Sequence, residues 1–258
     1  MMALSKNLIS FQTILYKEIN RFMRIWIQTL LPPVITTVLY FIIFGNLIGS
    51  HIPQMEGYRY IDYIVPGLVM MAVINNAYTN VVFSFFSAKF QRFIEELLVS
   101  PTPNIYILLG YLAGGVVRGV LVGAIVLLIS LFFTSITIKH PLLTLTIVLL
   151  TALLFSLGGF INAIYARKFD DVSIVPTFIL VPLTYLGGVF YSISLLPEFW
   201  QKASLLNPLL YFINAFRYSC LGISDINIYF AVGMIIFFTI SLFVIALHLL
   251  NKGVGMRS

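Results

Sequence analysis

Charge is what this chain has least of. Only 9% of its 258 residues are Asp, Glu, Lys or Arg, and 60% are hydrophobic. A soluble domain carries about 25% charged residues, so a water-soluble fold is excluded. The mean hydropathy of +1.02 fits an integral membrane protein with short loops. One cysteine, Cys220, rules out an internal disulfide and a thiolate metal cluster. His51, His140 and His248 are far apart in sequence, so no metal site is expected. No glycine is followed by lysine, so the phosphate-cradling loop that ends Gly-Lys-Ser/Thr is missing. No Gly-x-Ser-x-Gly nucleophile turn occurs, which leaves an intramembrane hydrolase without support. The start, Met1 to Lys6, is not followed by a short apolar run with a cleavage site, so no cleaved signal peptide is expected.

What remains is apolar sequence in long runs. A hydrocarbon core of roughly 30 Å needs about 20 apolar residues per helix. Six runs meet this length, at about 26–49, 64–86, 105–133, 141–165, 172–191 and 228–250. The fold class is therefore an all-α integral membrane protein with six transmembrane helices in a single domain over 1–258. Residues 192–227 are also largely apolar, but Pro197 and Asn207-Pro208 interrupt them. Proline lacks the N–H that a helix interior needs. Two half-length helices that enter from the outer face and return suit this pattern. A seventh full span is the other reading, and it would place Lys252 and Arg257 outside.

The cations fix the orientation. With the N-terminus inside, the inner segments hold Lys6, Lys17, Arg21, Arg24, Lys89, Arg92, Arg167, Lys168, Lys252 and Arg257. The outer segments hold Arg59, Lys139, Lys202 and Arg217. Ten against four satisfies the positive-inside rule with both termini cytoplasmic. The net charge of +6 has the same origin and does not point to nucleic acid.

Residues 4–24 form an amphipathic pattern. Leu4, Leu8, Phe11, Leu15, Ile19 and Phe22 recur at helical steps. Lys6, Lys17, Glu18, Asn20, Arg21 and Arg24 supply the polar side. Such a helix lies in the membrane interface with Lys17, Arg21 and Arg24 near anionic headgroups, or packs on the spans from the cytoplasm.

Between the second and third spans, 89–103 carries Lys89, Arg92, Glu95 and Glu96 and closes with Pro101-Thr102-Pro103. Glu95 and Glu96 stand three and four residues after Arg92, the spacing for local pairing in a helix. Phe90, Phe93, Ile94, Leu97 and Leu98 are more apolar groups than a free loop needs. A short helix that lays its apolar face in a partner's groove accounts for both sets.

Inside the spans, polar groups are few. All nine carboxylates fall at ends, in loops or in 192–227, which argues against proton coupling through intramembrane acids. Coupling to Na⁺ through backbone carbonyls stays open. Asn75, Asn76, Tyr78, Thr79 and Asn80 line one stretch of the second span. They belong to a pathway, joined by Tyr40 and Tyr185, or to helix–helix hydrogen bonds. Arg118 sits within the third span and either has a functional role or snorkels to the inner interface. Gly115, Gly119 and Gly123 recur at four-residue steps, a groove for close helix approach; static packing and sliding are both open. An ATP-independent channel or carrier is the alternative the Asn75–Asn80 stripe would serve.

The run Glu95-Glu96-Leu97-Leu98-Val99-Ser100-Pro101 resembles the cytoplasmic segment of ABC-2 type permeases. Phe169-Asp170-Asp171 before a span with Pro176 and Pro182 is similar too, as is Gly187-Gly188-Val189-Phe190-Tyr191. Leu196-Pro197, Asn207-Pro208 and Arg217-Tyr218 follow in the family's order. Arg21-Phe22-Met23-Arg24 and Phe41 to Gly49, which includes Asn46, resemble a bacterial inner-membrane branch. The resemblance runs over nearly the whole chain. It implies a permease subunit of an ATP-driven exporter that forms half of a translocation pathway. The expected partners are a second copy of the chain, two separate ABC ATPase subunits and membrane lipid. It further implies that no cofactor is bound directly, with ATP and Mg held by the partner ATPase. Arg92, Glu95, Glu96, Leu97, Ser100 and Pro101 would form the ATPase-coupling element. Gly187, Gly188, Pro197, Asn207, Pro208 and Arg217 would belong to the re-entrant motif.

Overall fold

The computed structural model describes residues 2–49, 51–52 and 54–255. Arg257 and the side chains of Leu4 and Asn46 lie outside the described residues. Among the described residues the regular structure is helical, apart from one isolated bridge between Met55 and Tyr58.

The first helix, α1 (Met2–Arg24), ends one residue before α2 (Trp26–Tyr40). Pro32 and Pro33 sit inside α2, which passes into a π-helical stretch over Phe41–Ile48. Next come α3 (Tyr60–Phe90), the short α4 (Phe93–Val99), α5 (Asn104–Ser130) and α6 (Pro141–Tyr165). Five helical segments are long and apolar enough to cross a membrane: Trp26–Gly45, α3, α5, α6 and α11 (Ile228–Lys252).

The expected fifth span, at 172–191, takes a different form. Its helical part is α7 (Phe169–Val175), a π-helical turn Pro176–Leu180 and α8 (Val181–Tyr185). At 1.5 Å per residue, 17 helical residues span roughly 26 Å. Pro176 and Pro182 each remove a ladder donor, which breaks the segment into pieces. Gly188, at φ 77°, turns the chain immediately afterwards. The third span also stops earlier than expected, at Ser130 rather than 133.

Helix α3 is the hub. Of its most apolar window 72% is buried, against 17% for Trp26–Gly45 and 22% for α11. The latter two therefore leave most of their apolar surface for lipid or another chain. At about 46 Å by the same rise, α3 is long enough to carry Lys89 beyond the hydrocarbon. Helices gain little from apolar burial inside lipid, so close van der Waals contact has to hold them. Helix α5 supplies it with two glycine stripes. A Cβ on Gly119 would lie 2.9 Å from Ala77 Cβ of α3, and one on Gly123 would lie 2.5 Å from Val73. Gly110 and Gly114 face α1, where Cβ atoms would lie 2.7 Å from Ile14 Cβ and 2.5 Å from Glu18 Cβ.

The 192–227 region folds as a 3₁₀ turn (Ile193–Leu195), α9 (Glu198–Ser204) and α10 (Pro208–Leu221). Helix α10 is short and almost wholly buried, whereas no residue of α9 is buried.

Candidate functional site

The 89–103 segment is built around a left-handed residue. Arg92 has φ 63°, so the chain breaks out of α3 and re-enters a helix at α4. An L-residue there costs about 1–2 kcal/mol, which the surrounding contacts offset. Ile94 is fully buried and holds α4 to the bundle. Phe90, Phe93 and Val99 remain exposed, as do Arg92, Glu95, Glu96 and Pro101. Leu97 and Ser100 are half-buried, and the Ser100 hydroxyl donates to the Leu97 carbonyl at 2.6 Å. The local pairing expected between Arg92 and Glu95 or Glu96 is not formed. Neither carboxylate has an ion-pair partner among the described residues. The reason is geometric, because Arg92 lies outside the helical turn that the spacing assumed.

Three contacts fix this segment to the rest of the molecule. Lys89 Nζ donates to the carbonyls of Ala163, Ile164 and Ala166 at 2.9, 2.7 and 2.6 Å. These are carbonyls that the end of α6 leaves without helical partners. Thr102 Oγ1 donates to Ser10 Oγ of α1 at 3.2 Å. Asn104 Nδ2 donates to Asn251 Oδ1 of α11 at 2.9 Å. Phe86, Phe90 and Phe169 form an aromatic cluster, with centroids 5.0 Å apart for both contacts to Phe169. Asp171 accepts from the backbone N–H groups of Arg167 and Lys168 at 2.8 and 3.0 Å. These two donors hold its carboxyl below the usual carboxylate range. A cavity of about 770 Å³ opens beside α4, with Lys89, Arg92, Glu95, Tyr165 and Arg167 among its walls.

Helix α1 departs from the expected two-faced pattern. Ile14, Glu18 and Phe22, four residues apart, form the buried stripe. Leu8 is exposed, as are Lys17 and Arg24. Glu18 is fully buried and accepts from Ser84 Oγ at 2.6 Å and from Arg21 Nη2 at 3.1 Å. Arg21 Nη2 also donates to Asn80 Oδ1 at 2.8 Å and to the Asn80 carbonyl at 3.1 Å. Glu18 and Arg21 thus turn inward onto α3, where Gly114 makes room for the Glu18 stem.

The candidate pathway residues divide into two groups. Tyr40 and Tyr185 share a hydroxyl–hydroxyl hydrogen bond of 2.8 Å and pack around Phe190. Asn75 and Asn76 line a groove of about 220 Å³ with Pro32, Pro33 and Tyr40. Their amides donate to the Met71 and Ala72 carbonyls within α3. Arg118 is buried and donates to Asn76 Oδ1 at 3.1 Å, so it does not snorkel. Asn80 faces Arg21 instead and does not join this groove.

The residues expected in the re-entrant motif come together around α10. The Asn207 side-chain Oδ1 caps α10 by accepting from the Leu209 N–H at 3.0 Å, and Pro208 occupies the first helical position. Asn207 Nδ2 donates to the Leu183 carbonyl at 2.7 Å. Pro197 precedes α9 in the same role of helix start. Arg217 is 1% exposed; its Nη2 donates to the Gly188 carbonyl at 2.5 Å, and its guanidinium lies 4.1 Å from the Tyr63 ring centroid. Gly187 packs against Ile213, where a Cβ would lie 2.8 Å from Cδ1. Asp225 lies 3.8 Å from Arg217 Nη1 and accepts from Ser192 Oγ.

Sequence reasoning missed Glu18, Lys89, Tyr63 and Asp225 as organising residues. Glu18 had a signal, since it stands four residues after Ile14 and four before Phe22 in the stripe that is buried. The other three depend on partners 74 or more residues away for Lys89, or across the outer turn for Tyr63 and Asp225.

Comparison with known proteins adds to this geometry. A family model described as ABC-2 type transporter matches residues 9–221. The chain is similar to the inner membrane transport permease YadH of Escherichia coli (strain K12), 55% identical over 250 residues, which is 97% of this chain and 98% of that one. It is also similar to nodulation protein J of Sinorhizobium fredii (strain NBRC 101917 / NGR234), 24% identical over 81% of this chain and 80% of that protein. Nodulation protein J of Rhizobium leguminosarum bv. viciae is 20% identical, with 83% of each chain covered.

Proposed function

The chain belongs to the ABC-2 type transporter family and is an inner-membrane transport permease, and from that premise we propose that it is the permease half of an ATP-driven exporter. Two copies would line the pathway, and two separate ABC ATPase subunits would dock on the cytoplasmic side and hold the ATP and Mg. Each copy would contribute six membrane crossings, the fifth being the broken helical segment over 172–191. The α9–α10 pair would re-enter from the outer face, with both termini cytoplasmic.

One observation carries this reading. The chain has no phosphate-cradling loop, yet its inner end presents a short helix whose Phe93, Glu95 and Glu96 side chains are exposed, with no ion-pair partner for either carboxylate among the described residues. A partner that supplies nucleotide chemistry would find its handle there. Lys89, Thr102 and Asn104 tie the same segment to α6, α1 and α11, so a push on α4 reaches three helices at once. The ATP-independent reading rested on the Asn75–Asn80 stripe. Asn75 and Asn76 donate to α3 carbonyls, Asn76 Oδ1 accepts from Arg118 and Asn80 Oδ1 from Arg21, which favours helix contacts over a pathway, although Asn80 Nδ2 has no hydrogen-bond partner among the described residues.

Reconstitution tests the proposal. Vesicles holding the chain together with its ATPase should transport only when ATP is hydrolysed. Robust transport by the chain alone, without nucleotide, would overturn the exporter reading.

A further inference from the structure

A cavity of about 650 Å³ opens on the outer side between the end of α10 and the turn around Asp225. This size falls within the roughly 300–1,000 Å³ range of small-ligand sites. Its deep end is unusual in polarity. Arg217 and Tyr63 are each 1% exposed, and both line the cavity. Arg217 Nε and Nη1 make no hydrogen bond, and the Tyr63 hydroxyl has the Ser192 side chain beside it. A buried donor left without an acceptor is costly, and more so when it is charged, so this end asks for an acceptor. Two carboxylates also line the cavity, one of them paired with Arg217. Asp225 faces Arg217 from 3.8 Å, and Glu56 is exposed and also lines the cavity. The remaining wall is apolar, with Ile223, Ile226 and Leu205 among its residues.

We propose that this cavity binds a zwitterionic phosphoethanolamine headgroup, delivered by an outer-leaflet lipid. The phosphate oxygens accept from Arg217 and Tyr63, and the ammonium sits toward Glu56 and Asp225. A simple anion would leave Glu56 without a cation, and a simple cation would leave Arg217 Nε without an acceptor. Only a ligand with both charges serves the whole cavity. Lipid as the source follows from the rim. Helix α9 contributes Gln201 to the cavity, and Leu205 follows it. Beside them Phe199 is 73% exposed, Trp200 55% and Leu206 86%. Exposed Trp beside aliphatic side chains suits the membrane–water interface. The site is independent of the ATPase-docking reading, because it lies at the opposite end of the molecule.

The test uses the full chain in nanodiscs of equal phosphatidylethanolamine and phosphatidylglycerol, with retained lipid counted by native mass spectrometry. The wild type should retain phosphatidylethanolamine over phosphatidylglycerol by about tenfold, the scale of one hydrogen bond to a charged group. Tyr63→Phe removes one donor to the phosphate, a group both lipids carry, so the total lipid retained should fall severalfold while the phosphatidylethanolamine preference stays. Glu56→Gln changes an exposed residue at the ammonium end and should reduce the preference severalfold. Arg217 is not varied, because it also grips Gly188. Equal retention of the two lipids by the wild type, an undiminished preference in Glu56→Gln, or undiminished lipid retention in Tyr63→Phe would overturn the proposal. Stabilisation by soluble glycerophosphoethanolamine without retention of the lipid would assign the cavity to a free zwitterion and overturn the lipid source.

Discussion

Removing Arg21 should harm this protein more than removing Glu18, although the two form one ion pair. Their surroundings differ. The Glu18 side chain is 0% exposed, and that of Arg21 is 31% exposed. In Glu18→Ala, Arg21 keeps its two hydrogen bonds to Asn80 and turns its remaining donors to water. The loss is then that of a charged hydrogen-bond set, about 1.5–3 kcal/mol. In Arg21→Ala, the Glu18 carboxylate stays fully buried with only the Ser84 hydroxyl at 2.6 Å. An uncompensated buried charge costs about 3–5 kcal/mol. The double variant Glu18→Ala/Arg21→Ala leaves no buried charge behind and should be milder than Arg21→Ala alone. The assay is the thermal midpoint in nanodiscs, combined with amide hydrogen exchange across α1. The midpoint should fall in the order Glu18→Ala, double variant, Arg21→Ala, or with the first two close together, and α1 should lose protection first. Equal damage from the two single variants, or additive damage in the double, would refute the argument, since independent sites add and coupled ones do not.

Three further outcomes follow from the geometry. Gly119→Leu pushes a side chain into Ala77 and the Val73 carbonyl, 2.9 and 3.2 Å from the new Cβ. It should cost at least the 1–3 kcal/mol typical of overpacking, read as loss of the monodisperse peak in gel filtration, while Gly119→Ala is milder. Lys89→Met frees three carbonyls at the end of α6 and should raise proteolytic cleavage at 165–168 severalfold without unfolding the spans. The Asp171 cap of α7 has a depressed carboxyl, so its contribution is complete above the ordinary carboxylate range and lost only as pH falls through the lower, folded value. Proteolytic protection of 166–170 should therefore be flat from pH 8 to about pH 5, and a loss of protection within that window, absent in Asp171→Asn, would contradict the assignment.

The long spans were legible because hydropathy over about 20 residues is a local property. The run expected at 141–165 coincides with α6, and that at 228–250 lies within α11. The fifth span was less so. Apolar residues continue past Tyr185, but the helix stops where Arg217, a residue 29 positions away, holds the Gly188 carbonyl. The glycine groove on α5 was visible as a spacing, although its second stripe, Gly110 and Gly114, was not assigned to α1. That assignment needs the tertiary fold, as does the inward turn of Glu18 and Arg21. A helical wheel places a carboxylate and a guanidinium on the water side by default, and only the space over Gly114 makes burial of Glu18 feasible. For the 89–103 segment, the exposed apolar side chains were legible, but the Arg92–Glu96 pairing that the spacing suggested does not form, because one left-handed residue breaks the helical spacing.

The central claim is that α4 is the handle for a separate ATPase. The most direct measurement is co-purification of the chain and its ATPase with Glu95, Glu96 and Leu97 all replaced by alanine, alongside the thermal midpoint of the variant alone. Both carboxylates are exposed and Leu97 is half-buried, so the midpoint should stay near that of the wild type. Association and ATP-dependent transport should both be lost. An ATPase that remains stably bound to the variant, with transport intact, would contradict the claim.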